Sequence, residues 1–204
     1  MLNIPKITLK YLELKLESSK RFYDEMIRKF QENKSILEGK YKEEEVGEEA
    51  YDELLDSLID DYYEQNEFEN LAGMLVISHN YFVFEHILRS LTGHLQKQGK
   101  IAFKGDYRKM KMWKIKESFK KIDIDFDEIE GFSDCNILGL IVNSIKHNGT
   151  FVSKELARAK GNYKVGEKIK EEIKIMPEEI DKCSGAINLF CNGLVREINN
   201  KTKE

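Results

Sequence analysis

The sequence predicts an all-α fold, an antiparallel bundle of long helices. Three observations carry that expectation. Apolar residues recur every three or four positions over long stretches. The 204 residues contain two prolines, so little interrupts a helix. Glycine or asparagine stands at several points where the period stops, as at Gly39 and Gly47, at Gly93 and Gly99, and at Asn148–Gly149. A chain of this length suits one domain, or one domain with an extension. It buries roughly 70% of the surface its unfolded form exposes, enough to fold without a disulfide or a structural metal. The expected division is an N-terminal helix or extension over 1–40 and a helical bundle over 41–204.

The elements follow in order. From Tyr11 to about Leu37, Leu12, Leu16, Phe22, Met26 and Phe30 keep a helical period between charged residues. Residues 39–47 form a charged break. The period resumes at Tyr51 and runs through Leu58, Leu71, Leu75, Phe82 and Leu91 to the glycines at 93 and 99, and we read 48–96 as one long or bent helix. Between 74 and 91 it is apolar on more than one face, the pattern of a central helix contacted from several sides. Asp106 can cap a basic helix to about Lys121, with Tyr107, Met110, Trp113 and Phe119 as its packing side. Asp123–Gly131 is an acidic connector. A helix from Cys135 to about His147 places Leu138, Ile141 and Ile145 on one face, and Asn148–Gly149 ends it. Ser153 can cap a short helical turn to Lys160. Residues 163–175 are read as a small β-hairpin or a loop. Pro177 suits the first turn of a last helix reaching about Asn200.

The formal net charge is −4, which taken as a total argues against an obligate nucleic-acid binder. Its distribution says more. Residues 41–70 hold thirteen carboxylates and one lysine, a local −12, whereas 97–121 hold ten Lys/Arg and two carboxylates, a local +8. Such asymmetry suits a polyanion-binding face with an acidic counterpart, although each segment also reads as a solvated helix face. The start MLNIPKITLK lacks the apolar core of a leader, and no window approaches the ~18 to 20 uninterrupted apolar residues of a membrane span. A cytoplasmic protein with no membrane contact is expected. Cys135, Cys183 and Cys191 have no CxxC spacing, so free thiols are expected and neither disulfides nor zinc.

Four histidines remain. His79 and His86 are seven apart, about 10.5 Å along a helix, too far to share one metal ion without a third element. They read as packing histidines, and no metal or cofactor is expected. His147 ends the run Val142-Asn143-Ser144-Ile145-Lys146-His147-Asn148-Gly149. Asn143 is an i, i+4 neighbour of His147 and shares its face. A helix C-terminus favours the charged imidazole, and Lys146 adds a cation. An imidazole to move protons and a lysine to neutralise an oxyanion suit a phosphodiester. The same residues also make a well-terminated helix.

The central helix reading Tyr81-Phe82-Val83-Phe84-Glu85, the Trp113-bearing basic helix, the Ile122–Asp125 connector and the Val142–Gly149 run together resemble bacterial proteins of the HEPN superfamily, over roughly residues 65–200. The family motif is an arginine, often followed by a polar residue, with a histidine four to six residues on. By that resemblance the histidine is His147 and the polar residue is Asn143, while the arginine position holds Val142. The tyrosine that nucleotidyltransferase partners modify in some members corresponds to Gly149. The resemblance implies a helical bundle, usually dimeric, and for many members a metal-independent ribonuclease in toxin–antitoxin or anti-phage systems.

The expected function is therefore a metal-independent endoribonuclease with His147, Asn143 and Lys146 as catalytic residues. Arg108, Lys109, Lys111, Lys114 and Arg158 would bind RNA, and Trp113 or Tyr107 would stack on bases. One histidine cannot easily serve both the attacking and the leaving oxygen, so a homodimer that pairs two helix ends is expected. The alternative is a catalytically inactive HEPN-like module that binds RNA or protein as sensor, adaptor or antitoxin-type subunit. Val142 favours it, because lysines alone cannot make a bidentate phosphate contact. Arg158 or Arg108 can supply that contact only if the fold brings one of them to His147. A third reading has the acidic 41–70 segment engaging a basic partner, such as an antitoxin or another defence-system protein.

Overall fold

The computed structural model describes residues 4–43, 48–147, 151–159, 163–168 and 177–201. Among them are six α-helices: α1 (Ile4–Glu43), α2 (Glu48–Lys97), α3 (Met112–Lys120), α4 (Phe132–His147), α5 (Lys154–Ala159) and α6 (Pro177–Lys201). The all-α bundle expected from periodicity is the fold found. Both prolines lie in the first turn of a helix, where a missing N–H costs no hydrogen bond. Residues 48–97 form one continuous helix. Ser153 Oγ accepts from the Leu156 amide at 3.1 Å and so starts α5. No strand occurs among the described residues. The hairpin expected at 163–175 is represented there by one antiparallel bridge, Phe151 to Lys168, and 169–176 lie outside the described residues. So do Asn148 and Gly149, expected to terminate α4.

α2 is the spine. α1 lies antiparallel along it, with Tyr11 beside His86 and Phe30 stacked on Phe68 at 6.0 Å. α6 runs parallel to its second half: Asn80 Nδ2 donates to Ser184 Oγ at 3.2 Å, and Phe84 meets Phe190 at 5.7 Å. α4 is antiparallel to both. Its start abuts Ala186 and Phe190 at Gly131, its middle faces Tyr81 at Gly139, and Ile141 shares a small cavity with Glu179. Leu12, Leu16 and Tyr23 of α1 are buried in the same core as α2, α4 and α6. Past that core α1 and α2 continue alone as a two-helix arm, and from Asp24 to Leu71 no described residue is buried. The Phe30–Phe68 stack and a hydrogen bond from Gln65 Nε2 to the Phe30 carbonyl (3.1 Å) tie the arm together.

The most apolar stretch of the chain lies within Ile59–Lys97, and by length and composition it would pass as a membrane span. Of that window, 61% is buried inside the bundle, which accounts for its apolar character by core packing.

Five phenylalanines close the core. Phe126 sits on a 3₁₀ turn of the connector, 5.1 Å from Phe119 of α3, 5.1 Å from Phe190 of α6 and 5.4 Å from Phe132 of α4, while Phe84 of α2 packs against Phe190. The connector reaches this depth because of local chain chemistry. Asp125 caps the turn through the Asp127 amide, and Lys120 and Lys116 pair with Asp125 and Asp127 at 3.0 and 2.6 Å. Gly131 takes φ +88°, where a Cβ would stand 2.6 Å from the Ala186 carbonyl. Only glycine satisfies both demands.

The basic segment departs from expectation. Asp106 caps a 3₁₀ turn, Tyr107–Lys109, by accepting from the Arg108 amide, and then Met110 and Lys111 are extended before α3 begins at Met112. The later start resets the helical register. Ile115, Ser118 and Phe119 form the buried side, and Trp113, expected to pack, lies on the other side at 58% exposure.

Two outcomes follow from this core. Phe126→Ala should cost about 3–5 kcal/mol in urea unfolding, the range for emptying a large aromatic site. Burial pushes the Cys135 thiol up to about 12 and Cys191 well above its ordinary value, so both stay protonated at pH 8 and lack the reactive thiolate. Iodoacetamide at pH 8 should therefore label the half-buried Cys183 first and reach the other two only on unfolding; mass spectrometry reads the order.

Candidate functional site

The residues singled out by the sequence fall at two opposite ends of the bundle. At one end lies a Lys-rich cleft. Three contacts hold its chain to the last turns of α2: Arg89 Nε donates to the Met110 carbonyl (3.1 Å), Gln96 Nε2 to the Phe103 carbonyl (3.3 Å), and the Tyr107 ring lies against Gly93. A Cβ at Gly93 would fall 2.7 Å from that ring, so the close approach needs glycine. The resulting cleft, about 510 Å³, is lined by Lys104, Lys109, Lys111, Lys114 and Lys121 against Asp106 and Glu117. Trp113 forms one wall, with Lys114 Nζ 5.3 Å from its ring centre.

Lys109, Lys111 and Lys114, three of the expected RNA contacts, thus meet in one place. Arg108 is diverted: its backbone amide and its Nε both donate to Asp106 Oδ1, at 3.0 and 3.1 Å, and the amide first, then the guanidinium, holds the Asp106 carboxyl below its usual range. Lys116 and Lys120 are likewise taken by the connector. Lys104 and Lys121 were not singled out from sequence. Their only signal was membership of the +8 stretch, because an irregular segment gives no period from which to place them.

At the other end, α4 finishes with Asn143, Lys146 and His147 all exposed. Asn143 and His147 share a side, as their spacing requires, but no side-chain hydrogen bond joins them or ties either to another described residue. Val142 is completely buried in the main core. The position that the resemblance assigns to an arginine is thus a packing position of α4, one of a set with Cys135, Leu138 and Gly139. Arg158 sits on α5, which packs against the second half of α4 through Leu156 and Ile141. Arg108 is at the far end, and so cannot reach His147.

The separation of the ends can be read along α2. α6 begins level with Ile141, so His147, six residues on, lies level with about residue 70 of α2, whereas Tyr107 lies at Gly93. At 1.5 Å per residue the two ends are roughly 30 Å apart. One chain therefore does not bring the lysine cleft and His147 to a single site.

His79 and His86, expected to pack, are exposed, and His94 is half-buried. Among the described residues no group of three or more His, Cys, Asp or Glu is placed to hold a metal ion. An acidic cleft of about 380 Å³ between the connector and α6 has Asp123, Asp125, Glu128 and Glu130 on its walls, with Asp125 committed to Lys120. No family model, curated protein or solved structure matches the chain.

An arginine placed at 142 would have to bury its guanidinium between α4 and the core. Val142→Arg should cost 3 kcal/mol or more, or abolish folding, rather than create a phosphate contact. Thermal unfolding followed by circular dichroism measures it.

Proposed function

We propose that this protein binds single-stranded RNA, as a HEPN-like helical module whose contact surface is the lysine cleft around Trp113. The exposure of Trp113 carries this reading. An indole that is 58% exposed, on a bundle with ample apolar core, and ringed by lysines has the composition of a stacking platform on an electrostatic groove. Lysines make point-charge contacts to phosphates without reading bases. The binding expected is therefore sequence-tolerant and steeply salt-dependent. Such a module would act as the sensor or adaptor of a toxin–antitoxin or anti-phage system, the setting the resemblance implies.

A second reading keeps the ribonuclease. Asn143, Lys146 and His147 stand together on an exposed helix end. There His147 could take a proton from a ribose 2′-hydroxyl while Lys146 neutralises the phosphorane oxygens, with the second proton handled by another copy's His147. The buried valine at 142 weighs against it, because that position supplies no guanidinium to a phosphate.

Trp113 is the only tryptophan, so its fluorescence reports stacking directly. Titration with a 20-nucleotide oligouridylate should quench it. Trp113→Ala should weaken binding about 5- to 150-fold, the worth of one stacked base, and three to five phosphate contacts should give a log–log salt slope of about −2 to −3.5. Binding unchanged in Trp113→Ala would reject the cleft. The nuclease reading requires RNA cleavage in EDTA that His147→Ala abolishes.

A further inference from the structure

Trp113, Glu117 and Lys121 follow one another at i, i+4 and i+8 along α3 and its C-cap, and all three line the lysine cleft. A carboxylate therefore stands one turn, about 6 Å, from the exposed indole. The cleft wall carries two carboxylates. Asp106 is engaged by the amide and the guanidinium of Arg108. Glu117 is exposed, and among the described residues its side chain forms no ion pair and no hydrogen bond. Lys114 lies three positions before it and Lys121 four after, the spacings at which helical ion pairs form, yet neither is paired with it.

A cleft built only to hold phosphates gains nothing from an unpaired carboxylate, which repels them. An ionised carboxylate is an acceptor with two oxygens and no donor. Its best match is a pair of adjacent N–H groups, as in its bidentate contact with arginine. Among the four RNA bases only guanine presents such a pair, N1–H and the N2 amine, side by side on its Watson–Crick edge. Cytosine and adenine offer one amine beside an acceptor nitrogen, and uracil one N–H between two carbonyl oxygens.

We infer that the cleft selects single-stranded RNA with guanine at the position stacked on Trp113, where Glu117 accepts from N1–H and the N2 amine. The preference rests on the cleft taking RNA, and adds to it that one base is read while lysines hold the backbone without reading sequence. The dimensions agree. Lys114 Nζ lies over one face of the indole, 5.3 Å from the ring centre, and the 58% exposure of Trp113 leaves area for a base on the other. From the middle of a stacked base to an acceptor at its edge is about 6 Å, roughly half a base width plus one hydrogen bond. That is the rise from Trp113 to Glu117. Phe103 and Met110 add apolar wall to the cleft.

Pentanucleotides titrated into the full chain at one low salt concentration, with Trp113 fluorescence as the readout, test the preference. UUGUU should bind about 5- to 150-fold tighter than UUAUU, the worth of one bidentate base contact, since adenine is also a stacking purine but lacks the paired donors. UUIUU, whose inosine keeps N1–H and lacks the N2 amine, should fall between them. Glu117→Ala, with unchanged circular dichroism because the side chain is exposed, should tighten UUAUU by removing a charge that repels phosphate. It should also bring all three oligonucleotides level. Equal affinities for wild type, or a uniform tightening of all three by Glu117→Ala, would overturn the preference and leave the cleft reading in place. Failure of every pentanucleotide and of the 20-nucleotide oligouridylate to quench Trp113 would overturn both.

Discussion

The structure turns on the packing of Phe126 against Phe190. Phe126 comes from a connector whose sequence is largely acidic, and its ring touches α3, α4 and α6 at once. Carrying an acidic turn into a core would cost far more than one aromatic returns if its carboxylates went with it. They stay outside, Asp127 and Asp125 paired with Lys116 and Lys120 and the others exposed, and glycine at 131 lets the backbone pass against α6. Once Phe126 is seated, the direction of α4 and the height of its C-terminus are set. His147 is consequently delivered to the end of the bundle away from the lysine cleft.

The second constraint is the length of α2. Fifty residues of uninterrupted helix exceed what α4 and α6 can cover. The surplus becomes the arm, where apolar residues such as Ile59 and Tyr63 remain exposed beside carboxylates. Its other end is covered by an irregular segment rather than a helix, and that segment together with the start of α3 presents the lysines and Trp113 to solvent. Local charge imbalance in the chain is thereby converted into polarity along one axis of the molecule.

Much of this was legible in the residues. The long α2, the Ser153 cap of α5, the Pro177 start of α6 and the buried side of α4 follow from period and capping, which are local properties. Trp113 was legible only as two alternatives, packing or stacking, because a helix beginning at Asp106 assigns it to the packing side, while the extended pair Met110–Lys111 restarts the helix and turns the indole outward. His79 and His86 read as packing histidines in the sequence for a similar reason, yet both are exposed. The stripe of α2 looked apolar on several faces, but only some of those faces have a neighbour. Val142 is the clearest case. Spacing from His147 marks it as a motif position, yet the helical period relates it to Cys135, Leu138 and Gly139, and burial assigns it to the core.

The sequence by itself determined that the chain is helical, where most helices begin and end, and how charge is divided between 41–70 and 97–121. These are set by interactions within a few residues: side-chain period, caps and composition. Tertiary structure alone decided that the lysines form a cleft, that Arg158 and Arg108 lie toward opposite ends, and that His147 stands roughly 30 Å from Trp113's end of α2. Those outcomes depend on which helix faces meet, and that is fixed by contacts between residues distant in the chain, Phe126 with Phe190 and Tyr81 with Gly139. No local pattern encodes them.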